Sequence, residues 1–243
     1  MNQLKAISTL AAATIGITLG ATTANAATFE ALPDLTDQQF VDLLDNGLFK
    51  EDFIAESRGG TAGLSGDFEI DIQDVIPPGP GGSPVDISHF EWENGVPVMF
   101  KLEYDGSKLT YTVGDKVVMA SDIQELPSLD SMFIRTRSNN DGSIMELSDI
   151  VVDGMAYNGV VRSEDGDTID YLKVTDIGNS FIMTGKSTMS WVGDDSDLPK
   201  RSRLAYQIKV GTMHEDVPEP ASLLSLGLLG CVIAGTRRRD KQA

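Results

Sequence analysis

Residues 98–113 read VMFKLEYDGSKLTYTV, and this stretch decides the fold. Apolar and polar side chains alternate over Val98–Tyr104, and the alternation resumes over Leu109–Val113. A period of two places one set of side chains on a core face and the other toward solvent, as in a half-buried strand. Asp105-Gly106 supplies the positive-φ turn that joins hairpin strands. We therefore predict a β-hairpin here, followed by a third strand at Val117–Met119.

Strand-like segments recur along most of the chain and are separated by turns rich in Gly, Asn and Asp. Further candidates are Phe68–Ile72, His89–Glu93, Met132–Arg137, Ile144–Val152, Thr168–Val174, Phe181–Trp191 and Arg203–Val210. No helix long enough for a βαβ crossover is indicated between them. We expect Pro77–Pro84 to be a loop, because proline cannot donate to a strand ladder. The sequence thus predicts an all-β fold, a two-layer antiparallel β-sandwich that is jelly-roll-like.

One short helix is predicted ahead of these strands. Thr36 can cap its N-terminus, and Gln39 completes a capping box three residues later. The phenylalanine and leucines of Phe40–Leu44 share one face, as the helical period requires. Gly47 then supplies the stop expected at a helix C-terminus.

Residues 1–26 have the three parts of an N-terminal signal peptide. Lys5 supplies a positive charge, and an apolar run extends over Ala6–Gly20. Ala24 and Ala26 then place small side chains at the two positions that signal peptidase reads. We expect cleavage after Ala26 by signal peptidase and a mature protein outside the cytoplasm.

Residues 217–243 form a second signal, also in three parts. Val217-Pro218-Glu219-Pro220 comes first, an uncharged span at about 221–236 follows, and Arg237-Arg238-Arg239 begins a basic tail. As a helix the span would reach roughly 24 Å, short of the ~30 Å hydrocarbon core. Its flanks nevertheless favour a transmembrane helix, because prolines block helix continuation upstream and arginines beside a last span stay cytoplasmic. The body would then face outward.

This C-terminal segment resembles the PEP-CTERM sorting domain, which a membrane enzyme called exosortase recognises. The resemblance covers the last 27 residues, 217–243, and it places exosortase among the expected processing partners. It implies a bacterium with an outer membrane that makes exopolysaccharide. It further implies transient anchoring in the inner membrane with the body in the periplasm, then transfer to the cell surface or extracellular matrix. Leu228-Leu229-Gly230-Cys231 also resembles a lipobox, but a lipobox ends an N-terminal signal, so we interpret Cys231 as part of the span.

The body between the two signals is strongly acidic. The chain has 19 basic and 37 acidic residues; the signals carry five and two of these, which leaves 14 basic against 35 acidic. Such a surface repels phosphate, which argues against nucleic-acid binding, and keeps an exported protein soluble. Within the body we distinguish an N-terminal helical segment at 27–48, the β-sandwich domain at 49–210 and a linker at 211–216.

Four segments of the body carry a second resemblance: Asn46–Phe49, Phe53–Arg58, Pro97–Tyr104 and Leu109–Gly114. They are similar to the choice-of-anchor W domains, which are extracellular modules that precede different sorting signals. The similarity covers about residues 35–210. Since those modules have no assigned activity, it implies a surface-protein body and no catalytic residue.

The strongest candidate for catalysis is the acidic run at 69–74. Laminarinase-type retaining glycosidases carry a Glu-x-Asp-x-x-Glu strand motif, in which residues two and four apart line one groove. Glu69 and Asp71 fit this pattern, but the next position falls on Gln73, or on Asp74 at the opposite face unless a bulge intervenes. We therefore interpret the run as polar residues on a solvated strand face and assign no catalytic residue.

Other catalytic or metal chemistry lacks the residues that it needs. His89, two residues before Glu91, would have to be the base of a Ser-His-Asp site, but no Gly-x-Ser-x-Gly elbow presents a serine. His214 lies in the expected linker. Two distant histidines and one cysteine do not make a zinc site, so we expect no cofactor and no metal ligands.

Aspartates in turns leave a structural calcium ion as an alternative. Asp141-Gly142, Asp165-Gly166-Asp167 with Asp170, and Asp194-Asp195 with Asp197 gather carboxylate oxygens, which hard cations prefer. None follows the EF-hand spacing. Asp and Gly are also ordinary turn residues for purely local reasons.

We expect a non-enzymatic surface or extracellular-matrix protein, associated with exopolysaccharide or biofilm. A carbohydrate-binding module is one alternative, because Trp92, Trp191 and the five tyrosines could stack on sugar rings if they lined an exposed face. Their strand spacing indicates core positions instead. A laminarinase-like glycoside hydrolase is the other alternative, and it depends on Glu69.

Overall fold

The computed structural model describes residues 26–60, 68–74, 83–120, 129–166, 168–193, 199 and 203–214. The predictions made for 1–25, for the loop residues 77–82, for the aspartates at 167, 194, 195 and 197, and for 215–243 fall outside the described residues. Both terminal signals, apart from Ala26, are therefore among them.

Fourteen strands and one helix form within the described residues. The first eight elements are β1 Thr28–Ala31, α1 Asp37–Asp45, β2 Phe49–Gly59, β3 Phe68–Asp74, β4 Ser83–His89, β5 Val98–Tyr104, β6 Leu109–Val113 and β7 Lys116–Ala120. They are followed by β8 Ser131–Ser138, β9 Ile144–Val152, β10 Met155–Ala156, β11 Val161–Glu164, β12 Thr168–Thr175, β13 Phe181–Ser190 and β14 Leu204–Met213.

The strands make two sheets. Sheet I has the order β1-β12-β8-β14-β2-β3-β4, and sheet II has the order β10-β9-β13-β5-β6-β7, with β11 paired to β9. The pairings are antiparallel. The predicted mainly-β fold of two antiparallel sheets with one short helix is thus confirmed.

The inner faces of the two sheets share one hydrophobic core. Phe100 and Leu102 of β5 belong to it together with Ile134 of β8 and Ile208 of β14, each at most 1% exposed. Met99, just before Phe100, is exposed, and Lys101 and Glu103 are more exposed than Phe100, Leu102 and Tyr104, so the predicted alternation along β5 is confirmed. Burying each such side chain contributes about 1.5–3 kcal/mol, which is what holds the sheets together.

A short chain of hydroxyl groups crosses this core. The hydroxyl of Tyr111 on β6 donates to that of Tyr206 on β14 at 2.6 Å, and it lies 2.6 Å from the hydroxyl of Ser57 on β2. All three side chains are fully buried. Because buried polar groups are costly without partners, this contact fixes how the two sheets lie on each other.

Helix α1 packs on the outer face of sheet I. The capping box is confirmed: Gln39 N donates to Thr36 Oγ1 at 3.2 Å, and Thr36 N donates to Gln39 Oε1 at 2.9 Å. Gly47 has φ +66° just past the C-terminus, as a stop residue requires. Beneath the helix lies a second apolar cluster of Phe40, Phe49, Phe133 and Tyr171. Sheet I is therefore apolar on part of both faces.

The predicted strand His89–Glu93 is wrong. Strand β4 ends at His89, and residues 90–97 belong to no strand. Phe90 and Trp92 alternate as strand residues do, but they lie in an irregular segment where their rings pack edge to face, with centroids 4.7 Å apart.

The predicted loop at Pro77–Pro84 includes Ser83 and Pro84, which instead begin β4. The proline is tolerated because β4 is the edge strand of sheet I and is bulged at this point, opposite Ile72 and Gln73.

The ends of the folded body also differ from the sequence-based division. Strand β14 continues to Met213, three residues into the segment assigned as a linker. These last residues pair with β2, and a bulge between Val210 and Gly211 interrupts the pairing. Strand β1, within the segment expected to be only helical, pairs with β12 at the opposite edge of sheet I. Its four residues are mostly exposed and carry no alternating pattern from which a strand could be predicted.

Candidate functional site

The outer face of sheet I carries a continuous row of polar side chains beside α1. The row has one side chain on each of five neighbouring strands, and each residue lies directly opposite the next: Tyr171 on β12, Arg135 on β8, Gln207 on β14, Glu56 on β2 and Asp71 on β3. Such directly paired residues have Cβ atoms about 4.5–5.5 Å apart, so their side chains interact. One end of the row enters a cavity beside the helix, and the other end enters a group of carboxylates.

The carboxylate cluster consists of Glu56, Glu69 and Asp71 with Arg58 and Gln73. Arg58 Nη1 donates to Glu56 at 3.3 Å, and Nη2 donates to Glu69 and lies 3.5 Å from Asp71. The amide Nε2 of Gln73 donates to Glu56 at 2.6 Å and to Asp71 at 3.0 Å. One guanidinium and one amide thus hold three carboxylates together.

Asp71 is the most deeply buried member of the cluster, with 1% of its surface exposed. Burial raises its pKa to about 8, and the negative charge of Glu56 and a hydrogen bond with Glu69 add to the effect. Its Oδ2 atom is buried and meets no hydrogen-bond donor among the described residues. If Oδ2 carries a proton, it can donate a hydrogen bond to Glu69, and the buried oxygen then has a partner.

The interpretation of 69–74 as a solvated strand face is therefore wrong. Glu69, Asp71 and Gln73 do share one face of β3, but Asp71 and Gln73 are buried. The sequence alone did not indicate the partners of this face, which are Glu56 and Arg58 of β2. Because β2 pairs with β3, Glu56 lies opposite Asp71 and Arg58 lies opposite Glu69.

The third position of the glycosidase pattern is occupied by the amide of Gln73. Asp74 is exposed at the end of the strand, and the bulge does not turn it toward the cluster. The extra residue of that bulge, Val85, lies on β4, so the alternation along β3 is unchanged. The arrangement neutralises buried charge and presents no open pair of carboxylates.

The helix-side cavity lies at the other end of the row and has a volume of about 270 Å³. It is lined by Asp37, Phe40, Val41, Leu44, Ile54, Arg135, Tyr171, Gln207 and Lys209. Asp37, the first residue of α1, accepts from Arg135 Nε at 2.7 Å and from the Tyr171 hydroxyl at 2.8 Å. Burial opposes ionisation of Asp37, but the hydrogen bond and the charge of Arg135 lower its pKa overall.

Lys209 lies on the cavity floor, with its side chain only 10% exposed. Its Nζ donates to Glu51 at 2.8 Å and lies 5.2 Å from the centre of the Phe40 ring, a cation–π contact. These contacts hold the charged amino group of Lys209 largely away from water.

The tryptophans considered for sugar stacking lie in the core. Trp92 is 3% exposed and its Nε1 donates to Ser187 Oγ at 3.3 Å, and Trp191 is 7% exposed. Their predicted core positions are thus confirmed, and they line no exposed face. Away from the core, the exposed His89 ring lies 3.3 Å from Glu91, at the end of β4.

Two of the described turn aspartates accept hydrogen bonds from backbone amides. Asp165 Oδ1 accepts from the Gly142 amide at 2.8 Å, and Asp170 Oδ2 accepts from the Arg162 amide at 3.0 Å. Within the described ranges, no group of three or more Asp, Glu, His or Cys side chains could hold a metal ion.

Sequence reasoning missed the cavity residues Arg135, Gln207 and Lys209. Each lies on a strand rich in apolar residues, where a polar side chain on the outer face is a weak signal by itself. Their meeting depends on the pairing of β8 with β14, which are distant in sequence.

No family model matches the chain, and no curated protein matches it. In the part of the chain that the structure describes, no helix has the length and apolar character needed to span a membrane.

Proposed function

We propose that the protein is a non-enzymatic exported protein of the cell surface or extracellular matrix, associated with exopolysaccharide. In this proposal a jelly-roll-like sandwich is preceded by a signal peptide and followed by a C-terminal transmembrane helix. Signal peptidase and exosortase are its processing enzymes. The body passes through the periplasm while the C-terminal helix anchors it in the inner membrane.

The observation that carries the proposal is the order of parts over 217–243. A Val217–Pro220 motif, an uncharged span and the three arginines follow one another without interruption. The folded body supports it, because β14 ends at Met213 and the His214 amide donates to Leu48 O at 3.0 Å. The last strand is therefore tied to the sheet a few residues before the motif, and the described part of the body ends there.

The non-enzymatic part of the proposal draws on the carboxylate cluster. Glu69, the residue on which a glycosidase would depend, is bound by Arg58, and Asp71 beside it is almost inaccessible. A substrate would have to displace a guanidinium from buried carboxylates, which is costly. The hydrolase alternative therefore has no support in the geometry.

The proposal is tested by fractionating a bacterium that carries the gene, with and without its exosortase. We expect a processed form at the surface or in the medium when the enzyme is present, and an anchored, longer form when it is deleted. Replacing Pro218 and Glu219 by alanine should block processing in the same way. Asp216→Ala, just outside the motif, is the matched control and should be processed normally. Unchanged processing of the motif variant would refute sorting by this motif.

A further inference from the structure

The dipeptide Asn-Gly occurs three times in the sequence, at Asn46-Gly47, Asn94-Gly95 and Asn158-Gly159. In this dipeptide the backbone nitrogen of the glycine can attack the side-chain amide of the asparagine, because glycine has no Cβ atom to hinder the approach. All three asparagines are exposed, so water reaches each of them. The three sites differ instead in the hydrogen bonds of the two groups that would react.

Both reacting groups of Asn94-Gly95 are held by the fold. Asn94 Oδ1 accepts from the Trp191 amide at 3.0 Å, and Asn94 Nδ2 donates to the Trp191 carbonyl at 2.8 Å. The nitrogen of Gly95 donates to the carbonyl of Met189 at 2.9 Å. The side chain and the nitrogen are thus fixed to two residues at the end of β13, and reaction requires that this contact opens first.

Asn46-Gly47 is held in a similar way at the C-terminus of α1. Asn46 Nδ2 donates to the carbonyl of Asp42 at 2.7 Å. The nitrogen of Gly47 donates to the carbonyl of Leu44 at 3.0 Å. The last turn of the helix therefore has to fray before the Gly47 nitrogen is free to react.

Asn158-Gly159 lies in the connection between β10 and β11 and has no such protection. Among the described residues, neither the Asn158 side chain nor the Gly159 nitrogen makes a hydrogen bond. The chain is held on both sides of the dipeptide: the Tyr157 amide donates to Ile150 O at 2.9 Å, and Val161, at the start of β11, is 1% exposed. The two reacting groups can therefore meet while the neighbouring strands stay paired.

We propose that Asn158 is a site of spontaneous deamidation in the folded protein. The Gly159 nitrogen loses its proton to hydroxide and bonds to Cγ of Asn158. The bond from Cγ to Nδ2 breaks, and this nitrogen takes a proton from water and leaves as ammonia, which regenerates hydroxide. Water then opens the cyclic imide at either of its two carbonyl carbons. The products are aspartate, or isoaspartate with the main chain running through the former side-chain carbonyl.

The modification changes the surface of an already acidic body. Either product adds one carboxylate to a chain whose formal net charge is −18. Isoaspartate also lengthens the main chain by one methylene group, in an exposed connection whose two ends are held. The inference goes beyond the proposed function and does not depend on how the protein is sorted. It makes the modified fraction rise with the age of the folded protein.

The test compares the three sites within one sample of the full-length chain in detergent. Native protein and protein unfolded in guanidinium chloride are incubated at the same mildly alkaline pH, and peptide mapping by mass spectrometry follows each asparagine. We expect the three sites of the unfolded chain to react at rates within about threefold of one another, because the contacts that distinguish them are lost. In native protein, Asn158 should keep its unfolded rate within about threefold, since no opening step precedes its reaction.

The internal controls are Asn46 and Asn94. In native protein they should react at least about tenfold more slowly than in the unfolded chain, which corresponds to an opening cost of about 1.4 kcal/mol or more. Native Asn158 protected as strongly as native Asn94 would overturn the proposal. Aspartate without any isoaspartate would also overturn it, because a cyclic imide opens at both carbonyls.

Two variants locate the modification. Asn158→Gln adds a methylene group, so the favourable five-membered ring cannot form, and native-state loss of ammonia from the Asn-Gly sites should nearly stop. The melting temperature should not change, since the Asn158 side chain makes no hydrogen bond with the described residues. Asn46→Gln removes a protected site and should leave the native rate as it is in the parent. A folded Asn158→Gln protein that loses ammonia as fast as the parent would place the reaction elsewhere and refute the assignment.

Discussion

Asp71 lies directly opposite Glu56 on the neighbouring strand, and one amide nitrogen of Gln73 donates to both carboxyl groups. Two acidic side chains thus share a donor on a part of the sheet where Asp71 is almost wholly buried. Such a pair is tolerated best when one member keeps its proton, and this has measurable consequences for the pH dependence of stability.

Stability should fall as the pH rises, through Asp71. Its pKa is about 8 in the folded protein and about 3.9 in an unfolded chain. Between these values the native state holds a proton that the unfolded state has released, so this contribution is complete below about pH 4 and lost by about pH 8. Urea unfolding across this range should show the decline.

Asp71→Asn mimics the protonated acid and should remove this part of the pH dependence. We expect the variant to match the parent at about pH 3, where Asp71 is protonated in both states, and to exceed it at pH 8.5. A difference of one unit in pKa between the two states corresponds to about 1.4 kcal/mol, so the gain should be of at least this order. Asp74→Asn, on the same strand but exposed, is the control and should change little. A variant less stable than the parent at pH 8.5 would mean that Asp71 is ionised and paired with Arg58.

Asp37 should have the opposite pH dependence. Burial would raise its pKa, but the hydrogen bond and charge of Arg135 outweigh burial and lower it. The contribution of Asp37 to the free energy of unfolding is therefore present above the unfolded pKa, and it is lost as the pH falls through the folded pKa. Asp37→Asn should cost about 1–2 kcal/mol at pH 7, since Asp37 is partly exposed, and less at pH 3. Asp45→Asn at the other end of α1 should have no such effect. Equal costs at both pH values would argue against the ion pair.

The hydroxyl chain across the core should contribute to the docking of the sheets. Tyr111→Phe removes the bonds to both Ser57 and Tyr206 and should lower the free energy of unfolding by about 1–3 kcal/mol. Tyr206→Phe should cost less, because Tyr111 can still bond to Ser57. Tyr157→Phe, at a partly exposed ring, is the matched control and should be near neutral. If Tyr111→Phe and Tyr206→Phe are as stable as Tyr157→Phe, the hydroxyl chain does not contribute to the docking of the sheets.

Gly211 should be intolerant of any side chain. A Cβ atom there would lie 1.9 Å from the carbonyl oxygen of Lys50, on the bulge between β14 and β2. Gly211→Ala should therefore cost about 3 kcal/mol or more. At Gly178 the nearest obstacle is the Ser180 oxygen at 3.3 Å, so Gly178→Ala should cost less than about 1 kcal/mol. Thermal unfolding of the two variants checks the difference.

The hairpin at 98–113 could be predicted because its information is local. Alternation sets which side chains face the core, and the turn sets the register, so β5 and β6 have the predicted bounds. The face shared by Glu69, Asp71 and Gln73 was likewise predictable from the period of two. Their burial was not, because it depends on Glu56 and Arg58 from another strand.

The cavity could not be predicted from sequence at all. Arg135 and Gln207 lie more than 70 residues apart, and only the strand order of sheet I makes them neighbours. Asp37 reaches them from a helix whose docking position is set by the apolar cluster around Phe40. No local sequence pattern predicts that Arg135 and Gln207 are neighbours or that Asp37 contacts Arg135.

The central claim is that the chain is exported and trimmed at both ends, and intact-mass spectrometry tests it most directly. The measurement is made on protein recovered from the medium or the cell surface of an exosortase-containing bacterium. We predict a chain that begins at Ala27 and lacks Arg237, Arg238 and Arg239. A mass that corresponds to all 243 residues, found in the cytoplasm, would contradict it.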